Sequence, residues 1–164
     1  MLPKALSLPE LATLRSPLKL EVQRINRKKD AADATPIAWL SPGYSRYRET
    51  ASLRITVQSL VPRPLTNIVV RWAIGKISVG RNPMDKGVFF GGQESLELKA
   101  MDAKTIETSP IVVGGSTSTL VGRTSGEMIR GHGVQILIGT NLVDEELVPA
   151  AIKIPFKNLQ PVPK

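Results

Sequence analysis

The sequence predicts an all-β chain, a sandwich of about seven to nine antiparallel strands. Apolar residues recur with period two in most runs, β-branched residues fill those runs, and Gly, Pro and Asn punctuate them. Helical periodicity is confined to the start, where Ser7 and Glu10 hold capping-box spacing ahead of Leu11 and Leu14. That pattern allows one short N-terminal helix, over about residues 8–15.

Taken in order, "PLKLEVQRI" alternates Leu18, Leu20 and Val22 against Lys19, Glu21 and Gln23. In "ASLRITVQSL", Ala51, Leu53, Ile55 and Val57 share one face, and Ile68, Val70, Trp72 and Ile74 share one in "NIVVRWAI". Leu53, Ile55, Val57, Ile68, Val70, Trp72 and Ile74 are therefore the expected core. "SLELKA", "TIETSPIVV", "GVQILIGTNL" and "LVPAAIKIPF" supply the remaining strands. Two stretches read as loops: residues 26–43, polar and then apolar around Ile37, Trp39 and Leu40, and residues 114–126, rich in Gly and Ser. The resulting division is an N-terminal extension at 1–16, a sandwich at 17–157 and an extended tail at 158–164.

The break "VPRP" separates two good strands. A direct hairpin about Pro62 and Arg63 would set Arg54 opposite Arg71, and like charges directly opposite are destabilising. Two prolines also suit a crossing between sheets better than a tight turn, which wants Asn-Gly chemistry. The second strand therefore crosses to the other sheet, and Trp72 points between the two.

Composition narrows function by exclusion. With no cysteine, disulfides, thiolate chemistry and cysteine-based zinc sites are excluded. No apolar run reaches the 18 or so residues of a membrane-spanning helix. The start has no continuous apolar stretch of a secretory signal, so either the chain is cytoplasmic or a leader once preceded Met1. The net charge of +8 is uneven: residues 1–82 hold 14 Lys/Arg against 5 Asp/Glu, and residues 83–164 hold 8 against 9. A basic half of this kind steers acidic partners, although charge alone also serves solubility.

Catalytic and metal motifs are weak. His132, in "RGHGV", is the sole histidine and reads as a loop or strand-start residue rather than an acid–base catalyst. "GGSTSTLVGRTSG" fails the phosphate-loop spacing, and Asp144–Glu146 lacks the spaced oxygens of a calcium loop and reads as a solvated turn. No cofactor and no metal site is expected, and no enzymatic activity. The richest cluster is "YSRYRET" with the preceding "RINRKKD". Its candidate binding residues are Arg27, Lys28, Lys29, Tyr44, Arg46, Tyr47 and Arg48. Aromatics interleaved with arginines suit single-stranded nucleic acid, and more strongly a protein or glycan contact; a charged edge strand is the plain alternative.

The strand order, with Trp72 on the third strand, resembles an immunoglobulin-like sandwich over roughly residues 17–156. The segments "LRITVQSLVPRPLTNIVVRWAI" and "SLELKAMDAKTIETSPIVV" resemble the immunoglobulin-like adhesion-type modules of bacterial and archaeal surface proteins. Asn67, Ile68 and Val70 match the "N-[IV]-x-V" strand of those modules, and Leu96 with Leu98 the later apolar pair. Ser59 stands where such modules often carry Asn, the break lacks glycine, and the immunoglobulin cysteine pair is missing. A narrower likeness is to immunoglobulin-like proteins of pili and the Gram-negative outer envelope. The resemblance implies a non-enzymatic interaction module of the bacterial cell envelope, periplasmic or on the outer surface, with a protein or surface glycan as partner and a homo-oligomer allowed. The alternative is a nucleic-acid-binding β protein that uses the basic half, with the cytoplasm as the alternative compartment.

Overall fold

Among the described residues eight strands follow from the alternation: β1 (Leu18–Asp30), β2 (Tyr44–Ser59), β3 (Leu65–Val79), β4 (Val88–Leu98), β5 (Ala103–Glu107), β6 (Ile111–Ser118), β7 (Arg123–Ile138) and β8 (Asn141–Val148). The computed structural model describes residues 17–30, 44–79, 87–118 and 123–162, so the expected helix at 8–15 and the N-terminal extension lie outside the described residues. Every ladder between strands is antiparallel. The all-β expectation holds, in a sandwich-like arrangement.

Hydrogen bonds run along β1-β2-β6-β7-β3-β4, with β5 attached to β2 and β8 to β7. The long strands explain how one path makes two arms. The first half of β2 pairs with β6 and its second half with β5. Likewise β7 pairs with β6 near its start and with β8 further on. One arm is thus β1-β2-β5 and the other β8-β7-β3-β4, and β6 is bonded to both. Consecutive strands β2 and β3 share no ladder, so Arg54 and Arg71 sit on different arms.

The core lies between the arms. Leu18, Leu53, Ile55 and Val57 from one arm join Ile68, Val70, Trp72, Ile74, Leu98, Val134 and Ile136 from the other in a single buried cluster. Period two decides which residues enter it, odd-numbered on β2 and, from Ile68 onward, even-numbered on β3. The register shift between Leu65 and Ile68 near the start of β3 is shaped by Asn67, which holds a left-handed φ of 58° and whose carbonyl accepts from Gly139 N at 2.8 Å. Asparagine tolerates that region better than a branched residue would.

Four boundaries differ from expectation. Residues 26–30 of the expected long loop continue β1, and residues 31–43 lie outside the described set. The expected loop at 114–126 is mostly ladder: residues 114–118 belong to β6 and 123–126 to β7, and residues 119–122 lie outside the described set. Gly126, at φ 126°, lets β6 and β7 approach closely, which composition alone disguises as loop. The last expected strand stops at Val148, and "TIETSPIVV" is split into β5 and β6.

Beyond Val148 the chain crosses the outer face of the β8-β7-β3-β4 arm. Ala73 lies between Gly91 of β4 and Gly133 of β7 in the ladders, a row of small residues across that face. Ile152, Ile154, Phe156 and Leu159 come down on it: a Cβ on Gly133 would stand 2.5 Å from Ile154 Cδ1, and one on Gly91 would stand 2.8 Å from Leu159 Cδ1. Glycine is needed there because backbone and strap nearly touch. The strap ends on the β4 edge, where Gly91 N donates to Gln160 O at 3.0 Å and Gln160 N to Phe89 O at 3.1 Å. Val162 then packs against the core cluster.

Candidate functional site

The basic cluster is built on the paired ends of β1 and β2. Arg27 stands opposite Thr50, Lys28 opposite Glu49, Lys29 opposite Arg48 and Asp30 opposite Tyr47, without a register break. On its other edge β2 sets Tyr44 against Ser118, Arg46 against Ser116 and Arg48 against Gly114. Because Ala51, Leu53 and Ile55 face the core, unbroken alternation turns Tyr47 and Glu49 the same way and turns Arg46 and Arg48 outward. Arg27 shares the outer face and Lys28 the inner one. Lys29 and Tyr44 hold the ladder positions given above, and their side chains lie outside the described set.

Contacts agree with that division. Tyr47 Oη donates to the Glu127 carbonyl at 2.9 Å, tying β2 to β7 on the inner side. Lys28 Nζ lies 5.7 Å from the centre of the Tyr47 ring. Burial first, then the carboxylates of Glu49 and Glu127, push the Tyr47 hydroxyl above its ordinary pKa, so it remains a neutral donor. Glu127 is itself held by Lys76, Nζ to Oε2 at 2.8 Å. Tyr47 is therefore a strut between arms.

Outside, Arg27, Arg46 and Arg48 are exposed, and no acidic partner is recorded for them among the described residues. Further along the same face Arg54 is paired, its Nε and Nη2 at 2.9 and 2.7 Å from Glu107 Oε1. Arg46 and Arg54 are eight positions apart on β2, which at about 3.3 Å per residue makes a stripe roughly 26 Å long. A depression of about 250 Å³ interrupts the stripe, bounded by Arg27, Thr50, Ser52, Arg54 and Glu107.

A second polar group lies across the sandwich. His132 is not at a loop or strand start; it sits well inside β7, opposite Ile74 and Val148, with 5% exposure and no hydrogen-bond partner for Nδ1. Burial, and secondarily the charge of Arg24, lower its pKa. Asp144 and Glu146 are in β8 rather than a turn, because the turn is made by Gly139 and Thr140. Burial and Asp144 raise the Glu146 pKa. Among the described residues no group of three His, Asp or Glu could hold a metal ion. Nor is any described helix long and apolar enough to cross a membrane.

No family model matches the chain, and no curated protein matches it. Among solved structures it is similar to a Northeast Structural Genomics Consortium target, at 14% identity over 86% of this chain and 94% of that one, with a TM-score of 0.36. It is also similar to a crystal structure of a protein from Akkermansia muciniphila, at 8% identity over 84% of this chain and 78% of that one, with a TM-score of 0.25.

Proposed function

We propose that the chain is a non-enzymatic interaction module whose outer β1-β2-β6 face engages an acidic partner. One observation carries the reading: Arg27, Arg46 and Arg48 stand exposed on a single sheet face with no recorded acidic partner among the described residues. Cations left unneutralised on a flat face raise the local concentration of an anionic partner and speed its capture. An immunoglobulin-like module is supported by the ladders, since β8-β7-β3-β4 facing β1-β2-β5 follows the order of that sandwich type. The cell envelope, and with it a pilus or adhesion assembly, is proposed from the resemblance of residues 53–74 and 95–113 alone.

The nucleic-acid reading would use aromatic rings beside the arginines to stack bases, and Tyr47, which faces the inside of the sandwich, does not offer one there. A protein or glycan partner needs no such platform.

The test is titration of the chain with acidic polymers at two salt concentrations, for wild type and an Arg46→Ser/Arg48→Ser variant. Binding that weakens with salt and falls about tenfold or more in the variant, at an unchanged melting temperature, is expected, because exposed charges contribute little to folding. Binding indifferent to the double substitution would place the interface elsewhere. Immunoblotting of fractionated cells tests the compartment; a signal confined to cytosol would end the envelope assignment.

A further inference from the structure

We infer that the depression beside Arg27 is the subsite for one acidic sugar unit of an anionic glycan, an inference that rests on reading this face as the binding surface. The register places a cation, hydroxyls and a carboxylate in sequence along a short stretch. Arg27 is opposite Thr50, Ser52 follows two positions along β2, and Arg54 with its partner Glu107 closes the far end. Arg27 can take the sugar's acidic group. Thr50 and Ser52 can donate to or accept from ring hydroxyls, and Glu107 can accept from them. Both Arg54 contacts use Glu107 Oε1, so neither uses Oε2.

The far wall is fixed before any ligand arrives. Thr108 is buried, its Oγ1 accepts from Leu53 N at 2.9 Å, and its own N–H donates to Leu53 O at 2.9 Å. That pair of bonds holds the break between β5 and β6 against β2 and sets where Glu107 and Pro110 stand. Preorganised polar groups lose little freedom on binding.

The chemistry separates three polyanions. A nucleic acid brings a phosphate at every residue, so one would have to lie against the Glu107 carboxylate. An acidic polypeptide offers carboxylates but no run of hydroxyls to satisfy Ser52, Thr50 and Glu107 together. A glycan with acidic groups on some units and hydroxyls on all meets each requirement, its next acidic groups falling on Arg48 and Arg46.

Calorimetric titration of the full chain with a uronic-acid oligosaccharide, its methyl ester, an oligonucleotide and polyglutamate decides the matter. The oligouronate should bind most tightly and its uncharged ester should bind weakly. In high salt, where long-range attraction and repulsion are both screened, Glu107→Ala should weaken the oligouronate roughly tenfold, the fold-change expected of one lost hydrogen bond to a charged group. At low salt the same substitution should strengthen oligonucleotide binding by removing a repulsion, and Thr50→Val should weaken only the sugar. Thermal melts of both variants confirm folding. Tighter binding of oligonucleotide or polyglutamate than of oligouronate would overturn the subsite while leaving the interaction module standing. Binding of none of the three polyanions would overturn both.

Discussion

Replacing Trp72 by alanine tests whether one core is shared by the two arms. Trp72 is 9% exposed and belongs to the cluster that joins β2 to β3, β4 and β7. A tryptophan side chain buries roughly 150–250 Å², worth about 4–6 kcal/mol at about 25 cal/mol per Å². Residual compactness of the unfolded chain trims that to about 3–5 kcal/mol, the range of other large-to-small core truncations. For a chain of this length the loss corresponds to a drop of roughly 10 °C in melting temperature. Circular dichroism melts of wild type, Trp72→Phe and Trp72→Ala would read it, with the phenylalanine variant falling between. Gly92 adds an internal control, because a Cβ there would lie 3.2 Å from Trp72 Cζ2. Gly92→Ala should therefore destabilise the wild-type chain more than it destabilises Trp72→Ala. A Trp72→Ala melting temperature within roughly 2 °C of wild type would refute the shared core, and a Gly92→Ala cost independent of residue 72 would refute the packing of the indole against β4.

His132 should make stability depend on pH. Its folded pKa is depressed below the ordinary 6.5, so the unfolded chain binds its proton first; stability is full above pH 6.5 and is lost as pH falls through the folded value. Denaturant midpoints between pH 8 and pH 5 should show that decline, and His132→Leu should flatten it; an equal decline in the variant would assign it to other groups. Glu146, raised above its ordinary value, works in the opposite direction at lower pH, where the folded state holds the proton more firmly. Gly91→Ala should cost about 1–3 kcal/mol as an overpacked contact, because the new Cβ would overlap the Trp72 carbonyl oxygen, which cannot swing aside. Fast hydrogen exchange at Gln160 should accompany it; a protected Gln160 would show that the strap tolerates the methyl group. Tyr47→Phe should cost about 0.5–1.5 kcal/mol for its one hydrogen bond to Glu127 and leave polyanion affinity unchanged, whereas a drop in affinity would return Tyr47 to the binding face.

Much of the fold could be read because alternation is a local signal. Leu53, Ile55 and Val57 declare their face within one strand, and the Arg54–Arg71 conflict was enough to separate β2 from β3. The candidate site was harder, since adjacency in sequence means opposition in a strand. Arg46, Tyr47 and Arg48 look like one cluster on paper, and the pleat sends the ring inward and the guanidinium groups outward. Glu107 and Thr108 join the face only through the β2–β5 ladder and its continuation, a pairing that residues far apart in the chain do not advertise. The strap misleads for the converse reason. Ile152, Ile154 and Phe156 carry a strand's alternation but spend it on a row of small residues instead of a ladder, and the only hint was the glycines in "RGHGV" and "FFGGQ".

The double pairing of β6 has a mechanical consequence. In a sandwich held only by side chains, one layer can slide over the other at the expense of apolar contacts that soon reform. Here Gly115 is in register with Tyr47 on one side and with Gly126 on the other, so any slip must break peptide hydrogen bonds on both flanks at once. A pull delivered to Arg46 or Arg48 enters β2, passes through β6 and reaches β7 along backbone bonds loaded together. The β1-β2-β6 face is thereby coupled through backbone bonds to the far layer.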